Sequence, residues 1–150
     1  MNMTEPIKIL LLEDNPADVE LTREAFLNRK LRLTLDVVHD GNEALDYLHR
    51  RGVYVGRTLP DLVILDLNVP RVSGKSVIAE IKSTELLKRL PIVVLTSSSA
   101  ETDVIESYDL GANCYVNKPL DFSSFEDIVV ALESFWFTVV RLPTIEEATE

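Results

Sequence analysis

Four short apolar runs set the limits on what this chain can fold into: Ile9-Leu10-Leu11-Leu12, Leu33 to Val38, Leu62-Val63-Ile64-Leu65 and Ile92-Val93-Val94-Leu95. A weaker fifth run is Cys114-Tyr115-Val116. Three of the runs are apolar at every position. Strands buried on both faces of a parallel sheet read this way, whereas half-exposed strands alternate. The Leu33 run is interrupted by Thr34 and Asp36 and suits an edge strand.

Helical patterns lie between the runs. Asn15-Pro16 predicts an N-cap and a first-turn proline for a helix from about Ala17 to Asn28. Asp40 and Glu43 have capping-box spacing ahead of a helix with Ala44, Leu45 and Leu48 on one face. Ser73-Gly74 precedes a helix with Val77, Ile78 and Ile81 inward. Ser98 and Glu101 predict a further capping box, opening a helix with Val104, Ile105 and Tyr108 inward and Gly111 as its left-handed end. Leu120 and Phe125 stand at hydrophobic-staple spacing around Asp121, and Phe125, Ile128, Val129 and Leu132 form the inner stripe of a last helix. Strand and helix alternate throughout. With right-handed crossovers they give a doubly wound α/β fold, a five-stranded parallel sheet with helices on both faces.

Ligands of such sheets bind beyond the carboxyl ends of the strands. The first run ends in Glu13-Asp14, the third in Asp66, the fourth in Thr96 and the fifth in Lys118-Pro119. Each acid alone reads as a capping or solvated residue. Together, at one rim, they do not: two like charges about 4 Å apart repel by about 4 kcal/mol at an effective dielectric near 20. A cation is called for. Hard oxygen donors without His or Cys favour Mg2+. Adding Lys118 and the Thr96 hydroxyl gives the parts of a phosphoryl-transfer site: a carboxylate nucleophile, a divalent ion and groups to hold the phosphoryl oxygens.

The segments Leu11-Leu12-Glu13-Asp14-Asn15, Asp61 to Asp66, Leu95-Thr96-Ser97 and Tyr115-Val116-Asn117-Lys118-Pro119 resemble the receiver domain of two-component response regulators, over about residues 7–134. Asp66-Leu67-Asn68-Val69-Pro70-Arg71-Val72-Ser73-Gly74, with Gly52-Val53-Tyr54, Asn113-Cys114-Tyr115 and Glu133-Ser134-Phe135-Trp136, is similar more narrowly to the small regulators paired with cyanobacterial phytochromes. The resemblance implies a flavodoxin-like strand order 2-1-3-4-5 and a set of roles. Asp66 would accept a phosphoryl group from a phosphohistidine of a kinase. Asp14, Asp66 and the Asn68 carbonyl would bind Mg2+, with Glu13 acting mostly through water. Lys118 would pair with the acceptor carboxylate and then with the phosphoryl group, Thr96 would move to hydrogen-bond it, and Tyr115 would turn inward behind Thr96. A cis peptide before Pro119 would position Lys118. Without the resemblance, Tyr115 reads as a core or edge aromatic. Cys114 reads as a packing residue, and neither His39 nor His49 has a ligand-like companion.

The chain has 150 residues, with 25 Asp and Glu against 15 Lys and Arg, for a net charge of −10. That balance argues against nucleic acid as a partner. The longest unbroken apolar run is Ile128 to Leu132, far below the roughly 20 residues of a membrane span. The single cysteine and a start lacking a signal-peptide pattern point to the cytoplasm. The expected organisation is a receiver domain over 1–134 and an apolar, then acidic, extension over 135–150 with no output domain, fraying from Pro143. Phe135, Trp136 and Phe137 would either fold back on the domain or meet a second copy; composition leaves both open, and the phytochrome-regulator resemblance favours a homodimer. The partners implied are a histidine kinase, of phytochrome type by the narrower resemblance, and a downstream protein. Slow loss of the phosphoryl group to water would be the only chemistry of the chain's own. Two enzyme-like alternatives fit less well. An aspartate-based phosphohydrolase of the haloacid-dehalogenase kind needs a second Asp where Asn68 stands. A flavin site needs a Ser/Thr/Gly loop where Glu13-Asp14-Asn15-Pro16-Ala17-Asp18 stands. The third alternative is an adaptor that keeps the fold without the phosphoryl chemistry.

Overall fold

The computed structural model describes residues 6–28 and 32–145. Strands β1 (Ile7–Leu12), β2 (Leu33–Val38), β3 (Leu62–Leu65), β4 (Ile92–Thr96) and β5 (Cys114–Asn117) alternate with helices α1 (Pro16–Leu27), α2 (Gly41–Leu48), α3 (Gly74–Ser83), α4 (Glu101–Leu110) and α5 (Phe122–Ser134). The sheet is parallel, in the order β2-β1-β3-β4-β5. This is the receiver topology expected from the sequence. Among the described residues, no helix is long and apolar enough to cross a membrane.

The unbroken apolar runs follow from the two cores. On β1, Leu10 and Leu12 enter one core with Tyr47, Leu48, Val77, Ile78 and Ile81 of α2 and α3. Ile7, Ile9 and Leu11 enter the other with Phe26, Phe125, Val129 and Leu132 of α1 and α5. β3 and β4 divide in the same way. Burying each such side chain stabilises the fold by roughly 1.5–3 kcal/mol at most, so a polar residue inside these strands would be expensive on either face. The two outer strands are β2 and β5. On β2, Thr34 is exposed and Asp36 accepts a hydrogen bond from the Tyr47 hydroxyl, which accounts for both interruptions of the run. On β5, the Tyr115 N–H donates to the Tyr108 hydroxyl of α4 (3.2 Å).

Helix starts follow the sequence in most places. Asn15 caps α1 by accepting from the N–H groups of Ala17 and Asp18, with Pro16 as the first helical residue. Asp40 accepts from the Glu43 N–H, while the Glu43 carboxylate takes the N–H of His39 rather than that of Asp40. Ser73 and Asp121 cap α3 and α5. Gly111 ends α4 at φ 116°, a conformation that favours glycine.

Four expectations are corrected. The Ser98/Glu101 box does not form: α4 starts after Ala100 without a side-chain cap, because the Ser98 hydroxyl donates to Asp103 instead (2.5 Å). On α4, Ile105 and Tyr108 face outward and Val104 is half-buried. Leu120 is fully exposed, turned away from the domain, so no staple with Phe125 exists. No described peptide bond is cis, the one before Pro119 included. The end of the chain also differs. Phe135–Val139 form one π-helical turn continuing α5; Trp136 and Phe137 pack on the α1/α5 core, and Ile145 is buried in the other. Ile145 is thus buried where a solvated tail was expected, and residues 146–150 lie outside the described residues.

A short 3-10 turn, Gly52–Tyr54, was not foreseen. It sets Tyr54 5.0 Å from Tyr47 between ring centroids and lets its hydroxyl donate to Glu43 (2.6 Å). Burial and the Asp36 carboxylate hold the Tyr47 phenol well above its ordinary pKa, and burial with Glu43 pushes Tyr54 up to about 12. A proton held more tightly in the folded state gives stability that is complete below the unfolded value, about 10, and is lost as pH rises beyond it. Urea denaturation of Tyr47→Phe between pH 7 and 11 should show a loss of about 1 kcal/mol at pH 7 and a shallower alkaline decline than the unsubstituted chain.

Candidate functional site

The site is assembled by strand register. Leu12 pairs with Leu65, so the next residues on β1 and β3 are Glu13 and Asp66, and the Asp66 N–H donates to the Leu12 carbonyl (3.0 Å). On the other side, Thr96 pairs with Asn117, and the Lys118 N–H donates to the Thr96 carbonyl (2.8 Å). Four strand ends thus deliver Glu13, Asp66, Thr96 and Lys118 to one rim. Close packing supports the loop after β3: a Cβ on Gly74 would lie 2.4 Å from the Asp66 carbonyl oxygen, and one on Gly41 would lie 1.8 Å from that of Val72. Both positions need a hydrogen in place of a side chain.

Lys118 is the centre of the polar contacts. Its Nζ lies 2.6 Å from Glu13 Oε1, 2.8 Å from Asp18 Oδ2 and 2.8 Å from Asp66 Oδ2. On the other oxygen of Asp66, Oδ1 accepts from the Thr96 hydroxyl (2.7 Å) and the Asn68 N–H (3.2 Å). Glu13 Oε2 accepts from the Asn15 N–H (3.1 Å). Glu13 is 3% exposed, Asp66 6% and Thr96 wholly buried. Burial pushes the Glu13 carboxyl above the usual carboxylate range, against the opposing pull of Lys118 and the Asn15 N–H. Burial alone would lower the Lys118 pKa; hydrogen bonds to Asp18, Asp66 and Glu13 outweigh it and raise the value.

Carboxylate oxygens of Glu13, Asp14 and Asp66 lie within 4.8 Å of one another, with Asp14 exposed at the rim. Three hard oxygen donors at this spacing suit a small divalent cation. Glu13, Asp14, Asp66, Thr96 and Lys118 therefore do meet, and Asn68 joins them by its N–H on Asp66 rather than by its carbonyl. Tyr115 stands apart from the acids: its hydroxyl donates to the Ser98 carbonyl (2.8 Å) beyond β4, and its ring packs half-buried on the α2/α3 core. Phe135, Trp136 and Phe137 lie in the π-helical turn after α5, outside the acidic group. Cys114 is half-buried, and burial pushes its thiol up, as suits a packing residue. The His39 Nδ1 is 3.3 Å from the Glu13 carbonyl oxygen and the His49 Nε2 is 3.0 Å from Glu80. Neither histidine joins the acidic group.

Asp18 is the residue the sequence reading passed over. It lies in the first turn of α1, five residues after Glu13, where it also suits the helix dipole. Its position after the Asn15 cap was the available signal: a capped first turn aims residue 18 back over the strand ends.

The response regulator receiver domain family matches residues 9–130. The chain belongs to that family. Among its relatives, response regulator Rcp1 of Synechocystis sp. is 42% identical over 138 residues, 92% of this chain and 94% of that protein. The probable methanogenesis regulatory protein FilR2 of Methanothrix harundinacea is 38% identical over 141 residues, 93% of this chain and 89% of that protein. The phosphorylated cyanobacterial phytochrome response regulator RcpA superposes with a TM-score of 0.90 at 44% identity, covering 93% of this chain and 100% of that one. The Mn2+-bound form of Rcp1 gives 0.88 at 42%, with the same coverage. The chain is thus a response regulator receiver similar to phytochrome-associated regulators.

Asp14 is the exposed member of the acidic set, so its charge can be removed without leaving a buried group unpaired. Asp14→Asn should raise the unfolding free energy in EDTA by about 1 kcal/mol, through relief of like-charge repulsion. It should also lose most of the stabilisation that millimolar Mg2+ gives the unsubstituted chain. Chemical denaturation with and without the ion reads both effects.

Proposed function

We propose that the chain is a phosphoacceptor in which Asp66 takes a phosphoryl group from a phosphohistidine of a partner kinase. The observation that carries this reading is the bonding of Asp66. Its carboxylate is buried at a strand end, held on one oxygen by Thr96 and the Asn68 N–H and on the other by Lys118. In the transfer, an Asp66 oxygen forms a bond to phosphorus as the bond from phosphorus to the histidine nitrogen breaks, and the imidazole leaves. Lys118 and the Thr96 hydroxyl then turn from the carboxylate to the phosphoryl oxygens, where charge gathers. Glu13, Asp14, Asp66 and the Asn68 carbonyl would hold Mg2+, which supplies the positive charge that this acidic rim lacks toward an incoming anion. Tyr115, whose hydroxyl bonds the Ser98 carbonyl two residues beyond Thr96, would turn inward as Thr96 moves. Water later cleaves the acyl phosphate, returning Asp66 and inorganic phosphate.

Likeness to RcpA and Rcp1 supports a phytochrome-type kinase as donor. The test is incubation with acetyl phosphate and Mg2+. One alkali-labile phosphate per chain should appear, and none in Asp66→Asn. Many turnovers would indicate a hydrolase instead, and no incorporation an adaptor.

We further propose that two copies associate through the segment after α5. Phe135 is half exposed, meets Trp136 edge to face with centroids 5.4 Å apart, and borders an open apolar groove of about 360 Å³ along β5 and α5. Trp136 itself packs on its own domain. Phe135→Glu is therefore the cleaner probe: sedimentation velocity should show a dimer shifted to monomer, with monomer stability unchanged to within about 0.5 kcal/mol. An unchanged dimer fraction would count against this face.

A further inference from the structure

An ammonium has three N–H donors, and around Lys118 each has its own carboxylate: Glu13, Asp66 and Asp18. Two of these acids belong to the proposed phosphoacceptor site. The third has no part in it. Asp18 comes from α1 rather than from a strand end, and its side chain is 24% exposed against 4% for Glu13 and 8% for Asp66. It therefore holds Lys118 from the solvent side, the side from which a phosphodonor must approach a carboxylate buried at the sheet rim. Its backbone is fixed: its N–H donates to Asn15 Oδ1 (3.1 Å) and its carbonyl accepts from the Thr22 hydroxyl (2.8 Å). Its Cα therefore stays beside Lys118 whichever rotamer the carboxylate adopts.

We infer that Asp18 is a positioning residue that competes with the phosphoryl group for Lys118 and so slows phosphorylation of Asp66. This rests on the proposed role of Asp66 and adds to it a residue that sets the rate. Before transfer, Glu13 and Asp66 suffice to hold the ammonium in place. Once the oxygen–phosphorus bond forms, negative charge moves outward from the carboxylate to the phosphoryl oxygens. Lys118 must redirect a donor to follow it. Glu13 lies deep in the rim, so the donor that points outward is the one Asp18 holds. Asp18 also places a fixed negative charge beside the path of an anionic donor. Both effects act in the same direction, and the second weakens as salt screens it.

The experiment uses the full chain with acetyl phosphate and Mg2+, and follows the rate of phosphate incorporation. Asp18→Asn keeps the side-chain shape and removes the charge. It should be phosphorylated about threefold faster or more at low ionic strength, the factor expected from one unit charge about 6 Å from the donor in a water-like dielectric. The advantage should shrink at 0.5 M KCl, and Asp18→Glu should return the rate toward that of the unsubstituted chain. Asp18→Ser, which also removes the charge and suits a helix start, should match the Asn variant, and circular dichroism establishes that each variant is folded. A purely structural Asp18 would lower melting temperature and rate together, with no salt dependence of the difference; that result, or an Asn variant no faster than the parent, overturns the inference while phosphate still goes to Asp66. Incorporation that persists in Asp66→Asn overturns the site reading and the inference together.

Discussion

One ammonium among four carboxylates governs this site. Lys118 faces Glu13, Asp18 and Asp66 directly, and Asp14 completes the acidic group at the rim. Charges taken out of water must be paired or they shift their pKa, and here the pairing is incomplete by design of the sequence. Lys118 offsets the two most buried acids, which lets the sheet end in carboxylates at all. The remaining negative charge repels any anion that approaches unaccompanied. A cluster of this composition suits a small divalent cation, which would offset the charge that an incoming phosphoryl group meets.

The sheet makes that cluster a consequence of register. Parallel pairing sets Leu12 beside Leu65 and Thr96 beside Asn117, and the chain leaves each strand at the same edge. The residue following each strand is then a neighbour of the residue following the next. A slip of one position would carry every apolar side chain of β1 or β3 to the opposite core, so the hydrophobic pattern and the site geometry are enforced by the same constraint. Gly41 and Gly74 extend it into the loops, where a single Cβ would collide with backbone carbonyl groups.

This explains which parts were legible in the sequence. Strand ends are countable, so Glu13, Asp14, Asp66, Thr96 and Lys118 could be read off as a group. Their roles came from family resemblance rather than from spacing. Asp18 escaped notice because its contact with Lys118 spans 100 residues and depends on how α1 lies over the sheet edge. α4 was misread for a related reason. An apolar residue at helical spacing reports that a face is available, and it does not report whether the fold supplies a partner for it. Ile105, Tyr108 and Leu120 have the spacing and are nonetheless exposed, Tyr108 meeting β5 through its hydroxyl. Ile145 shows the reverse error: in an acidic, proline-led tail it looked solvated, yet it fills the α2/α3 core.

The misread helix is also the one with the fewest buried residues among α1 to α5. Ser107 is the one residue of α4 that is buried. Leu110 packs its end on the α2/α3 core, and along its outer length the contacts are polar: Lys75 of α3 bonds Asp103 (2.5 Å) and Glu106 (2.6 Å), and Ser98 at its approach bonds Asp103. The carbonyl of that same Ser98 accepts from both Tyr115 and Asn117 on β5 (2.8 Å each). Ser98 is two residues beyond Thr96, which bonds Asp66 directly. Elements with few buried apolar contacts and many exposed hydrogen bonds open at low free energy, whereas close-packed cores do not deform gradually. A displacement of Thr96 would therefore meet the polar contacts around Ser98 and α4 before it required either core to repack.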